Sequence, residues 1–460
     1  MCDQYWPEHQ ALYGQIEVSL HRTEVLANFT IRTFLLTHHN LGKKGDIRHV
    51  THLQYTCWPA HTNPSNPLPL LSFIRLALKQ NELRNSSMVV HTNQNNSRAG
   101  VFITIASTLK QLKTSGEVNI PSFLKQAPIK GQNLLKSAKD FIYIHDVLVE
   151  AIVAGETNIK NSYLSRYINS LQSCQYSETG NKYHIERQFD LLNIDFVKKD
   201  KVKVYDKNEI IWLPGYFNQK AFMVSTYPEN ENLHQFWRLV LEHNVHTVVV
   251  LKSDPEFSFP DLSTDGIGGV TVTHRDDEIS YDFKSKNFIL EFGANTRKFV
   301  KVIFAESFLT DPDNIEDNLL VLETVETRRK SLNPSAPVFI LDTAVTGAAG
   351  GSFCALQCVL QQVEQEQHCD VYKAVKTVNM IRRGVWPDTD NLLLIYKIVE
   401  LFINKVKIKY SQEKNNNNVN VIQQKKKSQF RINSGHPKDK HTGTLMTMPA
   451  QVPIMNGGWF

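Results

Sequence analysis

Residues 91–100, His-Thr-Asn-Gln-Asn-Asn-Ser-Arg-Ala-Gly, are the part of the chain whose composition best suits the binding of an oxyanion. They follow an apolar run, Met88–Val90, that predicts a strand, and they precede a periodic apolar segment that predicts a helix. The N–H groups of such a loop and of the helix N-terminus converge on an anion. Arg98 adds a planar guanidinium fork that suits a phosphate or a carboxylate. The segment therefore predicts an anion site.

The same segment offers no activated nucleophile. A thiol at a helix N-terminus beside a cation ionises readily, whereas the hydroxyl of Thr92 needs a neighbouring base that the segment does not supply. An ordinary strand, loop and helix with a surface arginine is the alternative interpretation.

Length and composition indicate a folded chain of two domains. It has 460 residues, of which 41% are apolar, and a net charge of +5, too small to indicate nucleic-acid binding. The chain contains no run of 18 apolar residues, so the sequence predicts no membrane helix, and the first residues do not resemble a signal peptide. The six cysteines show no metal or disulfide spacing, which is typical of a reduced, cytoplasmic protein. We expect no metal and no cofactor.

The chain repeats itself. Gly100-Val-Phe-Ile-Thr recurs as Gly351-Ser-Phe-Cys-Ala, and each copy opens a predicted helix that is followed by two further helical segments. This duplication predicts two tandem α/β domains at residues 1–155 and 183–409, joined by a linker at 156–182. Residues 410–460, rich in asparagine and lysine, are expected to form a disordered tail.

The loop around Arg98 resembles the signature loop of protein tyrosine phosphatases, H-C-x5-R-[ST]-G. The likeness is closest to receptor-type members of the gamma/zeta class and their insect relatives, and it covers the chain to about Ile403. Other segments that carry it are Cys2-Asp3-Gln4-Tyr5-Trp6-Pro7, Gln54-Tyr55-Thr56-Cys57-Trp58-Pro59, Leu68–Ile74, Tyr143-Ile144-His145-Asp146, Phe236-Trp237-Arg238-Leu239-Val240, Asp370-Val371-Tyr372 and Arg383-Gly384-Val385-Trp386.

The resemblance implies two tandem phosphatase-like domains, each a twisted mixed β-sheet flanked by helices, with the first domain truncated at its N-terminus. It also implies the intracellular part of a receptor-type protein, anchored to a membrane only if an upstream segment exists. The expected partners are phosphotyrosine proteins or other signalling proteins, and nucleic acid is not expected.

The resemblance assigns family roles to positions of the first domain. The nucleophile position is Thr92, the general-acid position is Ala60, and the water-orienting position is Lys136. His61, one residue after Ala60, is an alternative proton donor that lies one residue out of register with the acid position. The expected phosphate-binding residues are Arg98 and the loop around it: Thr92, Asn93, Gln94, Asn95, Asn96, Ser97 and Gly100. Asn95 and Ser97 replace family glycines, so the loop is expected to bind an anion weakly.

In the second domain the nucleophile position is Asp342 when matched from the strand, or Thr343 when matched from the helix. An aspartate there would repel phosphate. Trp386-Pro387-Asp388 lies after the signature loop, so it is not the family's mobile acid loop, whose equivalent is expected near Phe308-Leu309-Thr310.

These replacements predict a catalytically inactive pseudophosphatase that acts as a binding or regulatory module. Two alternatives remain open: residual or unusual phosphatase activity, and a partial gene product without activity.

Overall fold

The computed structural model describes residues 3–39, 47–84, 86–93, 96–127, 134–175, 182–193, 209–251, 270–279, 283–292, 296–305, 308–309, 315–342, 347–382 and 384–432. Residues 3–403 fall in one compact unit, and the chain from Asn404 onward falls in a second unit.

The described residues of the first half contain four strands followed by four helices. The strands are β1 (Gln10–Tyr13), β2 (Ile16–Val25), β3 (Phe29–His38) and β4 (Ile47–Tyr55), and they pair in sequence order, all antiparallel. The helices are α1 (Pro67–Arg84), α2 (Asn96–Ser115), α3 (Ile120–Gln126) and α4 (Ala138–Val153). A core that includes Phe73, Ile105 and Ile144 joins these helices to the sheet. Burial of these apolar side chains stabilises the layered arrangement.

Short elements connect the halves: β5 (Ile159–Lys160), α5 (Leu164–Leu171), β6 (Cys174–Gln175), β7 (Lys182–Tyr183) and α6 (His184–Leu192). The second half then contains β8 (Ile211–Leu213), β9 (Phe222–Thr226), α7 (Leu233–Glu242), β10 (Thr247–Leu251), β11 (Val270–Ile279), β12 (Lys284–Phe292), β13 (Thr296–Ala305), α8 (Ile315–Leu332), β14 (Val338–Asp342), α9 (Ala348–Glu366), β15 (His368–Cys369), α10 (Val371–Ile381) and α11 (Thr389–Ile432).

Seven of these strands form a mixed sheet in the order β11-β12-β13-β10-β14-β9-β8. Strand β10 is parallel to both β13 and β14, and β14 is parallel to β9. Every residue of β10 and of β14 is buried, as expected of central strands covered on both faces. The second half therefore has the expected mixed sheet, whereas the described strands of the first half are antiparallel only.

A buried ionic cluster joins the two halves. The Lys376 ammonium lies 2.6 Å from Glu150 Oε2, and the Tyr372 hydroxyl donates to Glu150 Oε1 at 2.7 Å. Lys376 and Glu150 have no exposed side-chain surface. Strand β15 also pairs with β5, so the connecting segment is tied to the second half by backbone hydrogen bonds.

Two local predictions were wrong. Residues 88–90 form no strand. Their equivalent in the second half, β14, pairs with β10 and β9, whereas no described strand pairs with residues 88–90. Residues 410–432, assigned to a disordered tail, continue helix α11. That segment has no glycine or proline and is rich in lysine and glutamine, which favour helix. Residues 433–460 lie outside the described residues.

Candidate functional site

Helix α2 brings the signature segment against the chain that leads into α4. A Cβ atom on Gly100 would lie 1.8 Å from the backbone oxygen of Leu134, so only glycine allows this approach. The equivalent glycine of the second half, Gly351, lies against the side chain of Val385, where an added Cβ would be 2.3 Å from Cγ1. The predicted duplication therefore extends to the packing of the two loop–helix units.

Arg98 binds the protein's own backbone. Its Nη2 donates to the carbonyl of Pro59 at 2.7 Å and to that of Ala60 at 3.2 Å. Its guanidinium carbon lies 5.8 Å from the centroid of the Trp58 ring. The predicted phosphate clamp is thus brought together with the predicted acid loop, and its Nη2 already donates to two carbonyls of that loop.

The other predicted residues of this site are partly described. Thr92 is half-buried, while Asn93, Ala60, His61 and Lys136 are exposed. Asn96 begins α2, and Gln94 and Asn95 lie outside the described residues.

Asp140 is a site residue that sequence reasoning missed. Its carboxylate accepts from the Ser97 hydroxyl at 2.5 Å, from Asn63 Nδ2 at 3.1 Å, and from the Ser137 backbone at 3.1 Å. Burial opposes ionisation of Asp140, but the hydrogen bonds from Ser97, Asn63 and Ser137 outweigh it and hold the pKa below its usual value. Asp140 thereby connects the signature loop, the segment after the acid loop and the start of α4. The Ser137-Ala-Lys-Asp140 capping box was the available signal.

A second cluster lies on the His91 side of the loop. The Tyr5 hydroxyl is 2.7 Å from His91 Nε2 and 3.2 Å from His52 Nε2 on β4. Burial, together with the charge of Arg32 and the neighbouring His91, lowers the pKa of His52 to about 4. His52 is therefore neutral at physiological pH. Among the described residues no group of three or more histidine, cysteine, aspartate or glutamate side chains is placed to hold a metal ion.

The signature region of the second half contains a carboxylate. Asp342 ends β14, is almost fully buried, and accepts from the backbone N–H of Gly350 at 2.8 Å. A Cβ added to Gly350 would lie 2.8 Å from Asp342 Oδ2 and 3.3 Å from Nη1 of Arg382, itself fully buried. The Asp342 carboxylate therefore lies at the N-terminal end of α9, and the Arg382 guanidinium also lies close to Gly350. Thr343 lies outside the described residues.

The remaining tryptophan motif is structural. Trp386 is buried and its Nε1 donates to the Ser352 hydroxyl at 3.1 Å. Asp388 accepts from the backbone N–H of Asn391 at 2.9 Å, at the start of α11. Of the expected acid-loop equivalent, Phe308 is buried and Leu309 donates its N–H to Asn318, whereas Thr310 lies outside the described residues.

The similar packing of Gly100 against Leu134 and of Gly351 against Val385 agrees with a comparison of this sequence with known families. The sequence model described as protein-tyrosine phosphatase matches residues 1–150 and 197–400, most of the chain. The chain belongs to the protein-tyrosine phosphatase family. Relatives include mosPTP-1 of Culex quinquefasciatus, a receptor-type tyrosine-protein phosphatase by name, with 28% identity over 86% of this chain and 29% of that protein.

Two further phosphatase relatives have similar coverage. Tyrosine-protein phosphatase 99A of Drosophila melanogaster is 27% identical over 86% of this chain and 33% of its own length. The human receptor-type tyrosine-protein phosphatase zeta is 28% identical over 86% of this chain and 19% of its own length. The chain thus spans a third or less of these relatives. None of the helices described combines the length and the apolar character needed to cross a lipid bilayer.

Proposed function

We propose that this chain is a receptor-type-phosphatase-like protein that binds without hydrolysing, a pseudophosphatase that serves as a binding or regulatory module in phosphotyrosine signalling. The observation that carries the proposal is the state of Arg98. In the family this position holds the phosphate, and here its Nη2 donates to the carbonyls of Pro59 and Ala60. The proposed partners are phosphotyrosine proteins or other signalling proteins, and the proposed location is the cytoplasm.

The chemistry at the neighbouring positions supports the same conclusion. Thr92 stands at the nucleophile position, and a threonine hydroxyl attacks phosphorus only with a base beside it. The ring Nε2 of the adjacent His91 is engaged by the Tyr5 hydroxyl. Ala60, at the general-acid position, has no proton to donate to a leaving oxygen. The nucleophile and general-acid positions therefore lack the functional groups that the family mechanism uses, and lysine (Lys136) stands at the third position, the water-orienting one.

Kinetics of the full chain test the loss of turnover. We expect no hydrolysis of p-nitrophenyl phosphate above the buffer rate, and at most trace activity after Thr92→Cys, because Ala60 still leaves the acid missing. A buffer-corrected rate that Arg98→Ala abolishes would show an active site and contradict the proposal. It would favour the alternative, an unusual phosphatase.

Anion binding should distinguish the two halves. The first has Arg98 and the N-terminus of α2, whereas the carboxylate of Asp342 lies at the N-terminal end of α9 and repels a second anion. Because Arg98 must exchange its carbonyl partners, we expect weak binding of phosphate or vanadate, with a dissociation constant of about 1 mM. Chemical shifts near His91–Gly100, abolished by Arg98→Ala, are the expected result. Shifts confined to Asp342–Gly351 would contradict the assignment.

A folded binding module also differs from an inactive partial product. The buried cluster of Glu150, Tyr372 and Lys376 supports cooperative folding of the two halves. We therefore expect one cooperative thermal transition for residues 3–403 within the full chain. A broad, non-cooperative transition would favour the partial-product alternative.

A further inference from the structure

The last helix carries a strongly cationic segment. Helix α11 spans Thr389–Ile432, and from Asn404 onward it belongs to the second unit of the chain. Residues 404–432, called here the basic segment, contain seven lysines and one arginine against a single glutamate. The basic segment therefore has a formal charge of +7, whereas the whole chain has +5, so the remaining residues together carry −2. The net positive charge of this protein is thus concentrated in one helical stretch.

The cationic residues form two groups, one near each end of the basic segment. In chain order they are Lys405, Lys407, Lys409 and Lys414, then Lys425, Lys426, Lys427 and Arg431. Lys409 and Lys426 are 17 residues apart, which is about 25 Å along an α-helix. This separation exceeds the Debye length of about 10 Å at 0.1 M salt, so one small anion cannot neutralise both groups. An extended anionic surface can contact both groups at once.

Apolar residues lie between these cations. Ile408 is 59% exposed, and Lys407 and Lys409 on either side of it are exposed as well. Ile408, Val419 and Phe430 are spaced eleven residues apart, which is three helical turns, so their positions share one face of α11. Lysines beside apolar residues suit a lipid surface, where the ammonium groups meet the headgroups and the apolar side chains enter the acyl boundary.

Nucleic acid matches this composition less well than lipid does. It offers phosphates but no apolar interior for the residues at the positions of Ile408, Val419 and Phe430. The basic segment also contains a single arginine, the residue whose guanidinium fork best recognises phosphates and base edges. A strongly hydrated lysine ammonium instead suits the wet plane of lipid headgroups.

We propose that the basic segment binds to an anionic lipid surface, with this part of α11 lying along the plane of the headgroups. The attraction to acidic lipids falls off within a Debye length, so both groups of cations lie against the surface. The rest of the protein has a net charge of −2 and gains no attraction from the same surface, so docking depends on this segment. Arg98 and the signature loop take no part in the contact.

Sedimentation of the full chain with lipid vesicles is the direct test. One set of vesicles contains phosphatidylcholine alone, and the mixed set contains about 30% phosphatidylserine, which creates a negative surface potential. At about 0.1 M salt we expect binding to the mixed vesicles and at least about tenfold weaker binding to phosphatidylcholine. Raising the salt to about 1 M shortens the Debye length to about 3 Å and should release the protein.

Two triple variants of equal charge separate the basic segment from general electrostatics. The first combines Lys425→Gln, Lys426→Gln and Lys427→Gln, and it retains residues that favour helix. At about fivefold for each charge, it should bind the mixed vesicles about 100-fold more weakly. The control replaces three exposed lysines of the compact unit and should bind as the parent does. Its changes are Lys110→Gln, Lys125→Gln and Lys284→Gln.

A further variant tests for the apolar component. Ile408→Ser combined with Phe430→Ser keeps every charge and removes two apolar side chains from one face of the helix. It should bind the mixed vesicles about tenfold more weakly, because less apolar surface leaves water. Polyuridylate RNA is the comparison polyanion, and we expect it to bind the parent chain more weakly than the mixed vesicles do at the same salt.

Four results would overturn the proposal. Two concern the lipid: no binding to the mixed vesicles, or equal binding to both kinds of vesicle. A third is a loss of binding in the control triple variant as large as that in the variant of the basic segment. The fourth is tighter binding of polyuridylate than of mixed vesicles, which would identify nucleic acid as the partner of the basic segment.

Discussion

Removing one partner of the buried ionic cluster should destabilise the protein strongly. The perturbation is Lys376→Met, which keeps much of the side-chain volume and removes the charge. Its ammonium is 2.6 Å from Glu150 Oε2 and 3.1 Å from the Tyr372 hydroxyl, and neither Lys376 nor Glu150 has exposed side-chain surface. Among the described residues, the variant leaves the buried Glu150 carboxylate with the Tyr372 hydroxyl, 2.7 Å away, as its side-chain hydrogen-bond donor. Breaking such a pair costs about 3–5 kcal/mol of unfolding free energy.

The double variant separates the cost of an unpaired charge from the value of the pair. Lys376→Met with Glu150→Leu replaces both ions by apolar groups, and such exchanges are often neutral or stabilising. We therefore expect the double variant to be more stable than Lys376→Met alone. Tyr372→Phe, which removes one hydrogen-bond donor, should cost about 1–3 kcal/mol because its acceptor is charged.

Urea denaturation of the full chain, followed by tryptophan fluorescence, measures these free energies. Trp237 and Trp386 are buried and report on the second half. The reasoning would be refuted if Lys376→Met cost less than about 1 kcal/mol of unfolding free energy. It would also be refuted if the separate effects of Lys376→Met and Glu150→Leu simply added in the double variant, without coupling. Either result would mean that water reaches the junction between the halves.

Three further outcomes are expected. Gly100→Ala should destabilise by about 1–3 kcal/mol in a urea titration, because its Cβ would lie 1.8 Å from the rigid backbone oxygen of Leu134; an unchanged midpoint would contradict this contact. Asp140→Asn should reduce the fall in stability on acidification. The depressed pKa of Asp140 stabilises the fold above the unfolded-state pKa near 3.9, and that contribution is lost as the pH falls through the folded-state pKa. Parallel pH profiles of melting temperature for variant and parent would argue against it. Trp386→Phe should cost about 1 kcal/mol of unfolding free energy, because it removes the hydrogen bond to Ser352. Adding Ser352→Ala to that variant should cost no more, because the hydrogen bond is already absent.

Local patterns predicted the regular elements well where the elements depend on neighbours along the chain. The apolar stripe after Gly100 predicts α2, and the matching stripe after Gly351 predicts α9, because helical periodicity is a property of residues three and four apart. The same reasoning failed at Met88–Val90, where an apolar run does not form a strand. A central parallel strand depends on partners that are distant in sequence, and the run contains no information about them.

The site residues divide in the same way. Sequence alone predicted that Thr92, Ala60 and Lys136 stand at the family's catalytic positions and that the required functional groups are missing there, because covalent chemistry follows residue identity. It also predicted the duplication, since matching order along the chain needs no coordinates.

Only the tertiary structure decided what the remaining polar groups bind. Arg98 meets carbonyls 39 and 38 residues away, Asp140 meets the Ser97 hydroxyl 43 residues away, and Lys376 meets Glu150 226 residues away. A guanidinium or a carboxylate accepts several kinds of partner with similar geometry. Which partner it obtains depends on how the folded elements place the two groups, and that placement is a property of the whole packed chain.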